Sequence, residues 1–356
     1  MTLKILLTTF SLCLAQSAYC GVDLNTCVAD AAELTTALAQ AVSNGASTDT
    51  IKIRTGTYKS ITNAFGASGS YPSGDSITIE GGWTGSIEVP CQTQSTDPSL
   101  TVIDGEGLRG GMYLSHQAGA GSITVRNLSF QNGHREYDPI TFSNDRGGGL
   151  YIVGPTGNTA DVLVERCIFR NNYASFLGGG LVASSDGGTI TVRNNLFVGN
   201  TAPEGAAMQV FGNNDLSYVA NNTVTGNVSP QAGVTAAALR ISGSNTVTLT
   251  NNIFWNNTSG TQTDLSGPDL LLISNDIQKI SGAPGAGSSG NLSVDPRFLG
   301  ANDFRLVSSS PLINIGVNVP LGGLSSLDLD GLARVQSATV DLGAYEFSFL
   351  FLDGFE

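Results

Sequence analysis

Five nine-residue segments of this chain align without a gap: VRNLSFQNG from Val125, VERCIFRNN from Val164, VRNNLFVGN from Val192, VANNTVTGN from Val219 and LTNNIFWNN from Leu249. Their starts lie 39, 28, 27 and 30 residues apart. An aliphatic residue opens each segment. Phe130, Phe169, Phe197, Val224 and Phe254 form one column, and Gly133, Asn172, Asn200, Asn227 and Asn257 close it. A second motif follows in several repeats: GGGLYIVG from Gly147, GGGLVASS from Gly178, GAAMQVFG from Gly205 and AAALRISG from Ala236. Small residues precede a large apolar one each time, so backbones can approach closely at a narrow corner.

A unit this short cannot bury its own apolar face, but stacked units can. Local alternation in SITVRN and TITVRN reads as strand, and no repeat carries a helical period. A right-handed parallel β-helix, an all-β solenoid, satisfies all of this. Each repeat makes one coil, and each strand pairs with its equivalent one coil away, at a spacing of about 4.8 Å. The Phe column becomes a stack in the bore. The Asn columns mark corners, because Asn tolerates left-handed backbone and stacked amides can hydrogen-bond in a ladder. In VRNNLFVGN, Val192 and Phe197 are expected core rungs, Asn194 a corner and Asn200 the start of the next turn. A leucine-rich repeat lacks its Leu scaffold here, a propeller blade needs a longer period, and a sandwich would show no columns.

Composition narrows the function classes. The net charge of −13 argues against nucleic acid and anionic lipid as partners, since both need a basic footprint. Residues 1–20 read as a secretory signal: Lys4 is followed by an apolar run from Ile5 to Leu14, then by small residues. No later segment is long and apolar enough for a membrane helix. Export makes the cysteines disulfide candidates. Cys27 and Cys91 both lie outside the Asn-rich repeats and are expected to pair. Cys167 falls in a column with Leu128, Asn195 and Asn222, as a packed free thiol.

An open-ended solenoid needs its ends covered. DAAELTTALAQAV from Asp30 reads as a short N-terminal capping helix, with Asp30 and Glu33 in a capping pattern and Leu34, Leu38 and Ala41 on one face. Strands are expected through Ile51 and Ile53, from Ser76 and from Ser99. The reading divides the chain into the signal (1–20), the N-terminal cap and first coils (21–100), the central coils (101–287), a C-terminal cap segment (288–346) and a tail (347–356). VDPRFLGANDFRLVSSSPLINIG from Val294 and LDLDGLARVQSATVDLGAYEF from Leu327 complete the pattern. With the Phe-x-x-Asn and Gly-Gly-Gly-Leu elements, these resemble bacterial right-handed parallel β-helix proteins with polymorphic-membrane-protein-type repeats and a choice-of-anchor-type C-terminal segment. The resemblance spans about Cys27 to Glu346. It implies a secreted or cell-surface protein, on or outside the outer membrane of a Gram-negative-type bacterium, generally without an assigned reaction. Autotransporter relatives end in a β-barrel; only SFLFLDGFE follows Phe347, and no barrel is expected from it.

The enzymatic alternative is an extracellular polysaccharide lyase or glycoside hydrolase, which needs converging carboxylates or a calcium cage. The position after the large apolar residue reads Tyr151, Val182, Gln209 and Arg240; the one before the small triplet reads Arg146, Leu177, Glu204 and Thr235. Neither column pairs carboxylates. DLDG from Asp328 lacks the further ligands of a calcium loop. The best cluster lies in the longest interval: His134, Arg135, Glu136, Asp138, Asp145 and Arg146. It reads either as a mutually neutralising charged loop or as a functional insertion. His116 has no charged partner nearby in sequence and is not expected to be catalytic. The expectation is a noncatalytic binding or adhesion element, without cofactor or metal, whose partner is an extracellular glycan or a cell-surface protein.

Overall fold

Each repeat closes one coil of three strands, and three parallel sheets run the length of the stack. A computed structural model describes residues 23–348 except 45–47, 62, 67–73, 87, 118, 138–144, 155, 215, 231–237, 244–245, 260–263 and 281–283. The first sheet pairs Val125, Val164, Val192, Val219, Leu249 and Leu272 in register. The second pairs Ile103, Phe130, Phe169, Phe197, Val224, Phe254 and Ile277. The third pairs Met112, Leu150, Leu181, Met208, Leu239 and Leu265. All three columns point into one continuous core. Phe130 stacks on Phe169 at 5.1 Å, and Phe169 on Phe197 at 4.6 Å, with rings within 8° of parallel. The expected rungs are therefore real, and each fully buried Phe contributes about 1.5–3 kcal/mol before entropy is counted.

The paired asparagines divide into two jobs. At the corner between the first and second sheets, Asn127, Arg166, Asn194, Asn221, Asn251 and Ser274 have φ between 51° and 59°. The next residue in each repeat turns inward. Asn195 donates to Asn222, Asn222 to Asn252, Asn252 to Asn275 and Asn275 to Asn291, at 2.9–3.0 Å through Nδ2. Each Oδ1 also accepts the backbone N–H of the preceding coil's ladder residue. A second ladder runs Asn172, Asn200, Asn227, Asn257 and ends on Asp264. Cys167 replaces the amide in the first ladder. It is fully buried and unpaired, donates its N–H to Asn195, and burial pushes its thiol up to about 12. The third corner explains the small triplets. Gly147, Gly178 and Gly205 take φ of 57–63°, and a Cβ on Gly148 would stand 2.3 Å from the Tyr173 carbonyl oxygen.

Helix α1 (Ala31–Ser43) starts at Asp30, whose carboxylate accepts the Glu33 N–H at 2.9 Å. Its buried Leu34, Ala37, Leu38 and Ala41 join the common core. Cys27 and Cys91 form a disulfide that ties the strand Asn25–Val28 to the segment after the strand Ser76–Thr84. On the outer face of the first sheet, Glu80, Arg126, Glu165 and Arg193 are consecutive cross-strand neighbours of alternating sign. Arg126 pairs with Glu80 and Arg193 with Glu165, each at 2.6 Å.

The C-terminal segment differs from a plug over the last coil. It lies along the flank, as a strap over the second sheet and the first corner. A hairpin of Phe298–Gly300 and Asp303–Leu306 begins it. Phe304, Leu329 and Ala344 pack on Leu196, and Leu306, Leu312 and Leu342 on Ile253. The corner side chains then bind strap backbone: Arg166 to Asp328, Asn194 to Leu327, Asn221 to Asp341 and Asn251 to Val317. Arg334, 1% exposed, reaches Asn194 at 3.1 Å and the carbonyls of Asp341 and Gly343. Its Nε lies 3.3 Å from Glu346. The proposed signal falls outside the described residues, as does the tail from 349 onward.

Candidate functional site on the outer face of the third sheet

Strands of the third sheet point alternate residues outward. Register aligns the outward residues as Tyr113, Tyr151, Val182, Gln209, Arg240 and Ser266. The column expected from sequence therefore exists, and Tyr113 extends it by one coil. A neighbouring row aligns Arg146, Leu177 and Glu204 through single parallel bridges. The 39-residue interval feeds directly into this face.

The five described sequence candidates, His134, Arg135, Glu136, Asp145 and Arg146, do not converge on one point. His134 and Arg135 form a short strand paired with Tyr173 and Ala174. Alternation sends their side chains apart. His134 stays partly exposed, stacks on Tyr173 at 4.6 Å and contacts Glu136 at 2.9 Å through Nε2. Arg135 is only 4% exposed. It packs so closely on Gly110 that a Cβ there would meet its Nε at 2.1 Å. Burial pulls the Arg135 guanidinium down from its ordinary value, and the phenols of Tyr151 and Tyr113 pull it back. Those two rings meet edge to face at 5.4 Å. Burial pushes the Tyr151 phenol up, with Arg146 as the largest opposing influence. Arg146 lies over the Phe176 ring at 5.0 Å and 3.5 Å from Asp145. Asp138 lies outside the described residues.

Chemically, this face offers aromatic edges and guanidinium planes. Its described carboxylates are engaged: Glu136 by His134, Asp145 by Arg146 and Glu204 by Arg240. A glycosidase instead needs one protonated and one ionised carboxyl set on opposite sides of a sugar bond. Among the described residues, no three His, Cys, Asp or Glu side chains gather as a metal cage. Both acids of the DLDG motif are committed elsewhere. Asp328 accepts the N–H groups of Leu332 and Glu346, and Asp330 holds Arg305 by two bonds at 2.6 and 2.7 Å. His116 is buried, with its ring nitrogens 2.9 Å from the carbonyls of Gln117 and Asp75.

Sequence reading missed Tyr113, Tyr173 and Phe176 as members of this patch. Tyr113 sits in a strand outside the aligned segments. Tyr173 and Phe176 lie in YASF, immediately after the repeat that ends at Asn172. Two aromatics at a coil edge, where other repeats carry Thr201 and Val228 or small residues, were the available signal.

No curated protein matches the chain. Residues 109–277, which supply most of the coils just described, match the family model of a right handed beta helix region. With sheets that are parallel almost throughout and a register that advances one coil per repeat, the chain is a right-handed parallel β-helix.

Proposed function

We propose that the protein is exported and acts as a noncatalytic binding element, with an extracellular glycan held along the outer face of the third sheet. The observation that carries this reading is the run Tyr113–Tyr151, backed by Arg135 and flanked by Arg146 over Phe176. Aromatic faces stack on the C–H faces of sugar rings, and guanidinium groups donate to hydroxyls or uronates in fixed directions. The engaged carboxylates support binding over cleavage. The apolar run at residues 5–14 and the Cys27–Cys91 disulfide support an oxidising, exported setting. Adhesion at a cell surface is the role such a patch would serve.

The test is a binding screen of the purified exported form against uronate-rich and neutral polysaccharides, run beside an assay for released reducing or unsaturated ends. Binding without product is expected, weakened about tenfold by Tyr151→Ala or Arg146→Ala, a loss of about 1.4 kcal/mol. Steady product release would replace this reading with a lyase or hydrolase. Absence of any binding would leave a structural spacer.

A further inference from the structure

A second concavity lies on a different flank, where the strap meets the second sheet. Its volume is about 420 Å³, within the range that small ligands occupy. Trp255 forms its floor, at the outward end of the strand Ile253–Trp255. The residues in register with Trp255 on the two preceding coils are Thr225 and Val198. Both are smaller than an indole, so the Trp255 ring has no bulky neighbour on that side. Phe298 and Phe304 line the concavity from the strap hairpin and meet edge to face at 5.5 Å.

The rim is polar and already ordered. Asn256, Asp295 and Arg297 line the opening and are exposed. Asp295 Oδ1 accepts the Arg297 N–H at 2.9 Å, and the Arg297 guanidinium donates to the Ser309 carbonyl at 2.8 Å. Asn256 and Arg297 both take φ of 55°. One apolar aromatic floor with a carboxylate, an amide and a guanidinium at its edge suits a molecule with one C–H face and a belt of hydroxyls. The rim carries one carboxylate and one guanidinium, so it has no net charge to attract a simple ion. A purely apolar ligand would cover the remaining donors and acceptors of these groups without replacing their water.

We propose that this concavity binds an uncharged hexopyranosyl residue, stacked on Trp255 with its hydroxyls toward Asp295, Asn256 and Arg297. The site is separate from the third-sheet patch and does not depend on it. It also gives the strap a role, since neither the coils nor the strap alone forms the pocket.

The chain holds two tryptophans, Trp83 and Trp255, so a Trp83→Phe chain reports on Trp255 alone. Its emission is followed during titration with methyl glucoside, galactoside and mannoside to about 100 mM, with methyl glucuronide as the charged counterpart. A saturable shift with at least one neutral glycoside is expected. Asp295→Ala should weaken it about tenfold at unchanged melting temperature, while Tyr151→Ala should leave it intact. Saturation-transfer NMR on the unsubstituted chain, repeated with Asp295→Ala, gives the same reading without touching either tryptophan. No saturable response to any neutral glycoside by either method overturns the proposal. So does an equal response in Asp295→Ala, or a stronger one to the glucuronide.

Discussion

The coils and the strap bury polar groups in opposite ways. Between Val125 and Asn291 the buried polar side chains at the first two corners are mostly neutral amides, and each repeats the bonds of the one before. In the strap, Asp328, Arg334, Asp341 and Glu346 are charged types, all at most 4% exposed. The reason is the backbone each must satisfy. A coil strand finds its N–H partners on the coils above and below, and one amide per corner completes the set. The strap has almost no such neighbours, so its irregular backbone needs other acceptors. Carboxylates supply them: Asp341 takes the N–H groups of Asn314 and Phe347, Asp328 those of Leu332 and Glu346, and Glu346 that of Asp341. A neutral ladder can be lengthened coil by coil. A charged clasp is built once, and its ionisation couples to pH.

The largest effect that separates the two regions is expected from Arg334→Met. It strips the bonds to Asn194, Asp341 and Gly343 and leaves Glu346 without its cation. Removing one member of a buried ionic cluster costs about 3–5 kcal/mol. Because the loss lies in the strap, limited proteolysis should cut between residues 294 and 347 while the β-sheet circular dichroism of the coils persists. Simultaneous loss of both would show that strap and coils fold as one unit. Asn222→Ala reverses the pattern. It removes the side-chain acceptor of the Asn195 N–H and the side-chain donor to the Val192 carbonyl inside the bore, for about 3 kcal/mol. Here the coil signal should melt earlier, by calorimetry, with no new strap cleavage below the transition.

The two regions should also differ in their response to pH. Burial pushes Glu346 up to about 8, and Asp328 and Asp341 upward as well. The folded state therefore holds protons that the unfolded chain has released. This stabilisation is complete below the unfolded value of about 4.5 and is lost as pH rises through 8. Asp264 and Asp276, raised by burial to about 7 and about 6, act with the same sign at the last coils. Hydrogen exchange should find the strap and the last coils less protected at pH 8 than at pH 5. The ladder amides from Asn195 to Asn252 should lose no free energy of protection once the intrinsic exchange rate is corrected. An equal loss everywhere would place the titrating groups outside the clasp.

How much of this was written visibly in the sequence differs between the same two regions. The coils were legible because stacking turns repetition into geometry. Val192, Phe197, Asn194 and Asn200 sit where their columns place them, and α1 begins at the Asp30 cap. The strap's path was not, since its motif occurs once and has no column to compare. A trace existed in the outward positions of the second sheet. Ile168, Leu196 and Ile253 are apolar where a solvated face would be polar, and the strap packs on them. Function was least visible. Arg135 and Arg146 were flagged by charge, but Tyr113, Tyr173 and Phe176, which complete the patch, lie on the coils before and after and fall in none of the aligned segments.

The finest test uses two arginines of one ladder. Arg126 and Arg193 occupy the same outward column, each pairs at 2.6 Å with the glutamate one coil before, and sequence alone treats them alike. Arg126→Met removes a pair whose arginine is half exposed, worth about 0.2–1 kcal/mol. Arg193 does more. Its Nη1 donates to the Gly322 carbonyl of the strap at 2.8 Å, and its partner Glu165 also accepts the Ser325 hydroxyl. Arg193→Met should therefore exceed Arg126→Met by about the net worth of one charge-assisted bond, 1.5 kcal/mol. In chains already carrying Arg334→Met, where the strap is loosened, the difference should shrink toward zero. Calorimetry on the four variants measures it. An undiminished difference would mean that Arg193 stabilises the coils alone, and that the strap rests on the first sheet without being held by it.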